Sequence, residues 1–273
     1  MKKILFPTDF SDTAINALDY AVDIVKRING QLILVNAFDL DFLATNQSVD
    51  SFAMRNDESK AKLAERKEEI ITKYGELDVD TFAAFGDAAE SIQDVAKIKK
   101  ADMIVMGTKG ASGIKQFFTN SVTYDVIEDV PCPVMVIPED ATFSPIKKIM
   151  FATDYGSTTE KHIQFIRDFS LAYNSEVKIV HINTAVDKMQ AADAAEGLKI
   201  DRVLGEEVAH SFEFVEDDNV LEGIGNYLSE NEDVDMLIMV ARERLDWFDS
   251  LSNPSATKSI VHHPYIPSLV IKA

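Results

Sequence analysis

Three glycines that follow a short apolar run could hold a phosphate group. Gly107, Gly110 and Gly113 lie close together, and Lys109 lies between the first two. Glycine has no Cβ, so its backbone amides can approach an anion closely. The segment leads to a helical pattern that opens at Ser121, and a helix N-terminus presents free amides and a partial positive charge. The spacing is neither Gly-x-Gly-x-x-Gly nor that of the Walker loop. A loop whose glycines only form tight turns is therefore an alternative of equal weight to a phosphate-binding loop.

A carboxylate near the N-terminus is the second candidate group. Asp9 ends the segment Pro7-Thr8-Asp9, which follows the apolar run Ile4-Leu5-Phe6. If this run and the one before Gly107 are parallel strands, their carboxyl ends lie at one edge of a sheet. A carboxylate at such an edge suits a ribose hydroxyl, as acidic residues do in other nucleotide-binding folds.

The histidines and the cysteine favour structural roles. A zinc site needs three or four converging ligands, and no two histidines have helical His-x3-His spacing. Cys132 is the single cysteine, so it cannot form an intrachain disulfide, and its place before an apolar run predicts a buried, inert thiol. The five histidines all lie in the second half of the chain: His162, His181, His210, His262 and His263.

Short apolar runs alternate with helical patterns along the first half of the chain. Such alternation indicates a parallel sheet that is covered on both faces. The predicted strands are 4–6, 31–37, 79–85, 103–106 and 134–137, and the predicted helices are 11–27, 57–74, 88–98 and 122–128. Residues 38–56 are left as a long connection, which could close over the site as a lid or pack against another domain or subunit.

The two halves of the chain repeat each other. The segment 2–9 recurs as 147–154, and Asp102-Met103-Ile104-Val105-Met106 recurs as Asp235-Met236-Leu237-Ile238-Met239. We therefore predict an α/β fold with two tandem, doubly wound, five-stranded parallel-sheet domains of Rossmann-like type. The domains are expected at 1–140 and 145–273, separated by a stretch that contains prolines and no periodic pattern.

The composition limits the binding partners and the cellular compartment that can be expected for this protein. The chain of 273 residues has 46 acidic and 27 basic side chains, a net charge of −19, which argues against general binding to nucleic acid. No apolar run approaches the ~18 residues needed to span a membrane. Because a single cysteine fits a reducing compartment, a cytoplasmic protein is expected. The charge is spread over both halves, as is typical of a solubilising surface.

Three segments resemble the universal stress protein family: 4–11, 102–110 and 121–137. The whole chain is similar to the tandem form of that family, with two such domains in one polypeptide. Members that bind ATP carry Gly-x2-Gly-x9-Gly-Ser/Thr after the fourth strand. Gly107, Gly110 and Ser121 match this pattern, and Asn120 stands where the third glycine is expected. Asparagine accepts unusual backbone angles and caps helices well.

The resemblance implies a site for ATP, AMP or ADP in the first domain, with Mg²⁺ as an optional companion of the phosphates. Adenine and ribose would lie beside Pro7, Thr8, Asp9, Ala37 and Met106. The phosphates would be surrounded by Gly107, Lys109, Gly110, Asn120, Ser121 and Val122.

The second domain is predicted to bind no nucleotide. Its corresponding window, 240–244, has no glycine, and Glu243 would place a negative charge near any phosphate. We expect a cytoplasmic stress-response sensor or regulator and no enzymatic activity. The alternative is a nucleotide-free interaction protein that works through dimer surfaces. The resemblance further implies that the last strands of the two repeats pair as an intrachain pseudo-dimer. We also expect a homodimer and, from the charge and the hydropathy, no nucleic-acid or membrane partner.

Overall fold

The computed structural model of the protein describes residues 1–39, 49–108, 122–184, 191–241 and 266–272. The chain divides into two compact units. The first contains Met1–Thr108 and Asn120–Met135, and the second contains Val136–Ala273. The division falls a few residues before the junction that the sequence predicts, and the domain limits 1–140 and 145–273 stay a prediction.

Ten strands and seven helices alternate through the described residues. The strands are β1 Lys3–Pro7, β2 Gln31–Phe38, β3 Asp78–Phe85, β4 Met103–Thr108, β5 Val134–Pro138, β6 Lys148–Ala152, β7 Glu176–Asn183, β8 His210–Glu216, β9 Met236–Ala241 and β10 Ser268–Lys272. The helices are α1 Asp12–Ile28, α2 Val49–Tyr74, α3 Ala88–Lys99, α4 Val122–Asp129, α5 Glu160–Tyr173, α6 Ala191–Leu204 and α7 Val220–Glu230. None of these helices is long and apolar enough to cross a membrane.

The strand order is that of a doubly wound fold. The first five strands are ordered β3-β2-β1-β4-β5, and the last five are ordered β8-β7-β6-β9-β10. Strands β1, β2, β3 and β4 pair in parallel, as do β6, β7, β8, β9 and β10. The residues of β1 between its ends are almost fully buried, as expected of a central parallel strand. The predicted fold class is confirmed.

In both units an aspartate accepts hydrogen bonds from two consecutive backbone amides at the start of the central strand. The Asp102 carboxylate accepts bonds from the backbone amides of Lys2 and Lys3, at 2.6 and 2.9 Å. Asp235 accepts the equivalent bonds from Lys147 and Lys148, at 2.8 and 2.9 Å. The repeat that the sequence predicts therefore extends to individual side-chain contacts.

Helix α2 corrects the predicted connection at 38–56. The helix begins at Val49, eight residues before the predicted start at residue 57, so Phe52 belongs to its first turns. Residues 51–56 are mostly exposed, and Val49, Phe52 and Ala53 give an apolar pattern of only about two turns, which is too short to distinguish a helix from a loop. The remaining part of the expected lid, residues 40–48, lies outside the described residues.

Gly107 has a packing reason to be a glycine. A Cβ built there would lie 2.5 Å from the carbonyl oxygen of Thr13, because the first turn of α1 packs directly on β4. In the second unit the register places Val240 at the corresponding position of β9. There the helix begins three residues later relative to the first strand, at Glu160, so the second unit has no matching need for a glycine.

His162 takes part in the N-terminal cap of helix α5. The Thr159 amide donates to His162 Nδ1 at 3.3 Å, and the His162 amide donates to Thr159 Oγ1 at 3.4 Å, which forms a capping box. Burial, followed by the positive charge of Lys161, lowers the pKa of His162. The cap therefore requires the neutral imidazole.

Replacement of Gly107 by alanine should destabilise the protein by about 1–3 kcal/mol, because the new methyl group meets backbone that cannot move aside cheaply. The matched control is Gly197→Ala in helix α6, where a Cβ has no neighbour closer than 3.8 Å. That control should raise the free energy of unfolding by roughly 0.5–1 kcal/mol, the helix propensity gain of alanine. Urea unfolding followed by circular dichroism measures both. Equal effects would contradict the packing role of Gly107.

Acidification should weaken the second unit through His162. A histidine whose pKa is lowered in the folded protein contributes stability that is present above its unfolded pKa, about 6.5, and is lost as the pH falls through the folded pKa. We expect the unfolding temperature to fall between about pH 7.5 and pH 5, and to fall less in His162→Gln. Glutamine can keep the capping box without titrating. An equal fall in both proteins would assign the pH dependence to other groups.

Candidate functional site

The carboxyl ends of β1 and β4 form the candidate site. The chain leaves β1 toward β2 and β3 on one side and returns through α3 to β4 on the other side. The register Ile4↔Met103 and Leu5↔Ile104 places the two strands side by side at this reversal of strand order. Ligands of doubly wound sheets bind at such a point, beyond the carboxyl ends of the strands.

A tight loop after β1 presents Asp9 at this edge. The Thr8 amide donates to the carbonyl of Val35 at 2.8 Å, and Thr8 Oγ1 accepts from the Phe10 amide at 3.0 Å. Asp9 is exposed, and its Oδ1 accepts from the Ser11 amide at 2.9 Å. Phe10 has a φ of 64°, an uncommon conformation for a residue with a side chain. The loop therefore turns sharply and leaves a carboxylate at its tip.

The other predicted residues of the base and ribose side lie on neighbouring strands. Pro7 ends β1, Ala37 lies near the end of β2, and Met106 is buried near the end of β4. Pro7 and Ala37 are half-buried. The carboxyl ends of these three adjacent strands therefore lie at one edge of the sheet with Asp9. Their role as nucleotide contacts stays a prediction.

The predicted phosphate residues are described only in part. Gly107 is the half-buried second-last residue of strand β4, and Val122 is exposed as the first residue of α4. Lys109, Gly110, Asn120 and Ser121 lie outside the described residues. The phosphate side of the site therefore stays a prediction from the sequence.

A hydrogen-bonded pair that the sequence analysis missed lies behind the Asp9 loop. Asn36 Nδ2 donates to the carbonyl of Thr8 at 2.8 Å, and Asn36 Oδ1 accepts from Ser59 Oγ at 2.7 Å. Ser59 is 4% exposed. An amide side chain directly after four buried apolar residues was the available signal, because a polar group beside the core needs hydrogen-bond partners.

Three phenylalanine rings meet at the outer part of the same edge. The Phe52 ring lies 6.0 Å from Phe38 and 5.2 Å from Phe85, measured between centroids, and Phe38 lies 5.8 Å from Phe85. Phe52 and Phe85 remain 38% and 49% exposed. The sequence analysis placed Phe52 in a loop and therefore did not foresee this cluster.

The second unit has the same loop after its central strand, but the aspartate of that loop is hydrogen-bonded to a serine within it. Tyr155 has a φ of 58°, and its amide donates to Thr153 Oγ1 at 2.9 Å, as Phe10 does to Thr8. Both carboxylate oxygens of Asp154 accept bonds from Ser157, from its amide and from its hydroxyl, each at 2.9 Å. Asp154 is half-buried, whereas Asp9 is exposed. The duplicated carboxylate therefore serves the loop itself.

The remaining candidate groups have structural surroundings. In the parts of the chain that the structure describes, no three His, Cys, Asp or Glu side chains converge as a metal site would require. His262 and His263 lie outside those parts. Cys132 is buried, and burial, with the charge of Asp102, raises the pKa of its thiol to about 12. The prediction of a buried cysteine is confirmed, and thiolate chemistry at neutral pH is disfavoured.

Comparison with known proteins agrees with this architecture. The profile of the universal stress protein family matches residues 1–138. A universal stress protein from Synechocystis is 36% identical over 137 residues, which are 50% of this chain and 85% of that protein. One from Methanocaldococcus jannaschii is 29% identical over 139 residues, 50% of this chain and 81% of that protein.

A solved structure matches the full length of the chain. The universal stress protein from Archaeoglobus fulgidus covers 99% of this chain and 98% of its own, with a TM-score of 0.72 and 18% identity, a likeness of fold. The single-domain relatives cover only half of the chain, in agreement with a tandem arrangement. Since the family profile spans half of the sequence and most of the Synechocystis protein is matched, this chain belongs to the universal stress protein family.

Proposed function

We propose that the first unit binds ATP, or AMP or ADP, at the carboxyl edge of β1 and β4, and that the protein acts in the cytoplasm as a stress-response sensor or regulator. In this proposal Asp9 accepts hydrogen bonds from the ribose hydroxyls, and adenine lies beside Ala37 and Met106. The phosphates, with Mg²⁺ where it accompanies them, lie toward the N-terminus of α4 at Val122.

The difference between Asp9 and Asp154 carries the proposal. Both follow the central strand of their unit and the same threonine, yet Asp9 is exposed whereas Asp154 is half-buried. An exposed carboxylate held by a strained loop at the switch point is suited to an external hydrogen-bond donor. The same comparison supports a nucleotide in the first unit and none in the second.

The proposal assigns a regulatory rather than an enzymatic role. The hydroxyl of Thr8 is buried and accepts the Phe10 amide, so it is poorly placed as a nucleophile. Asp9 is exposed, and its Oδ1 accepts a hydrogen bond from the Ser11 amide, which holds the carboxylate in place at the edge of the sheet. These are binding properties.

An interaction protein without nucleotide is the second candidate. The exposed rings of Phe52 and Phe85 favour it, because grouped aromatic side chains at a surface are common in contacts with other proteins. The homodimer and the intrachain pseudo-dimer that the sequence predicts belong to this proposal as well. Light scattering of the purified protein gives the mass in solution and separates one chain from two.

Nucleotide binding is tested by denaturing the purified protein, assaying released adenine nucleotide, and titrating the nucleotide-free protein calorimetrically. The panel contains ATP, ADP and AMP, and also cAMP, because a solved universal stress protein is in complex with cAMP. We expect ATP to bind. Absence of released nucleotide together with no heat at about millimolar ATP, a binding free energy near −4 kcal/mol, would overturn the proposal.

Two matched variants locate the site. Asp9→Ala should weaken ATP binding about 10–100-fold, since hydrogen bonds to a charged group contribute roughly 1.5–3 kcal/mol. Asp154→Ala makes the same change in the second unit and should leave the affinity unchanged. Gly110→Glu should abolish binding through charge repulsion and crowding of the phosphates. If Asp154→Ala weakened binding as much as Asp9→Ala, the assignment to the first unit would be wrong.

A further inference from the structure

A half-buried polar side chain, Asn36, lies near the end of β2, beside the loop that carries Asp9. Asn36 follows the fully buried residues 32–35 of β2. Its amide nitrogen donates to the Thr8 carbonyl, and its amide oxygen accepts from Ser59 Oγ, so both ends of the side chain are used. The pair joins three elements: the loop after β1, strand β2 and helix α2.

The Asp9 loop needs such support. Phe10 has a positive φ, which a residue with a side chain adopts at some cost, and strained backbone persists only where its surroundings hold it. The Thr8 carbonyl, held by Asn36, lies directly before Asp9. The hydroxyl of the same threonine receives the Phe10 amide at 3.0 Å. Asn36 thus supports the residue from which the strained turn starts.

Helix α2 reaches the loop at a second point. The Nζ of Lys62 lies 5.9 Å from the centroid of the Phe10 ring. Lys62 is three residues beyond Ser59, and residues at this spacing lie on one face of a helix. The face of α2 that carries Ser59 therefore contacts both the support of the loop and the aromatic residue within it.

The second unit is an internal comparison. The register places His181 where the first unit has Asn36. His181 Nδ1 bonds to the Thr153 carbonyl at 2.9 Å, the same contact that Asn36 makes with Thr8. Its Nε2, however, is buried and has no hydrogen-bond partner in the described part of the chain. Both units therefore hold the threonine carbonyl with a side chain from the second strand. Among the described residues, that side chain is also bonded to a helix in the first unit, through Ser59.

We infer that Asn36 and Ser59 are positioning residues of the proposed nucleotide site: Asn36 holds the Asp9 carboxylate in its binding orientation, and Ser59 couples that orientation to the docking of helix α2. The inference rests on the proposed function for its ligand. By linkage, a nucleotide that needs the ordered loop also favours the docked helix, to the same extent that docking favours the nucleotide.

Four variants separate positioning from general stability. Asn36→Ala removes the support, and Asn36→His replaces it by the residue that the second unit uses. Ser59→Ala removes only the link to α2. Ser170→Ala is its matched control, because Ser170 is also a buried helical serine, 1% exposed, whose hydroxyl lacks a partner among the described residues.

Two measurements are made on each variant. NMR hydrogen exchange of the Phe10 and Ser11 amides in nucleotide-free protein reports the loop, and calorimetric titration with ATP reports the site. Asn36→Ala should speed exchange at both amides and weaken ATP binding about tenfold. Asn36→His should restore slow exchange and most of the affinity. Ser59→Ala should weaken ATP binding about fivefold, and Ser170→Ala should change neither quantity.

The two proposals fail differently. If the wild-type protein binds no nucleotide, the proposed function fails, and the exchange rates alone still decide whether Asn36 orders the loop. If wild type binds ATP but Asn36→Ala leaves exchange at Phe10 and Ser11 unchanged, the positioning role is overturned. The same holds if Asn36→His fails to rescue a correctly folded protein, or if Ser170→Ala weakens binding as much as Ser59→Ala.

Discussion

The alignment of β1 against β4 is the constraint on which the candidate site depends. Side chains alternate across a strand, so a slip of one residue would turn the end of β1 to the opposite face of the sheet. The Asp102 carboxylate prevents such a slip by accepting the first two amides of the β1 segment, from Lys2 and Lys3. With the amino ends held, the carboxyl ends of both strands arrive together at the switch point. Asp235 does the same for the second unit.

On this shared frame the two copies differ by a few local contacts. Gly107 admits helix α1 close to β4, whereas the second unit has Val240 there and begins its helix later. Asp9 is exposed, whereas Asp154 is half-buried. A duplicated domain can thus keep its sheet and its strained loop while the edge that would meet a ligand changes, because strand pairing and loop closure use different groups from those that face outward.

A protein with a net charge of −19 can still offer a site for an anion. In the proposed site the donors to the phosphates are backbone amides, which carry no net charge, and Lys109. In the proposed function the exposed Asp9 meets the neutral ribose rather than the phosphates. The net charge of the whole chain therefore does not decide the local polarity of the proposed site.

Much of the fold follows from the sequence by itself. Apolar runs separated by helical periods predict the alternation of strands and helices, and the repeated segments around Asp9 and Asp154 predict two tandem domains, because these signals are local. The early start of α2 could not be predicted, since the apolar pattern of its first turns is short and those turns are mostly exposed. Ser59 and Asn36 are 23 residues apart in the chain, and Gly107 and Thr13 are further apart still. Such contacts depend on how the chain crosses over, and only the tertiary structure decided which buried polar group meets which partner and which of two similar carboxylates is left exposed.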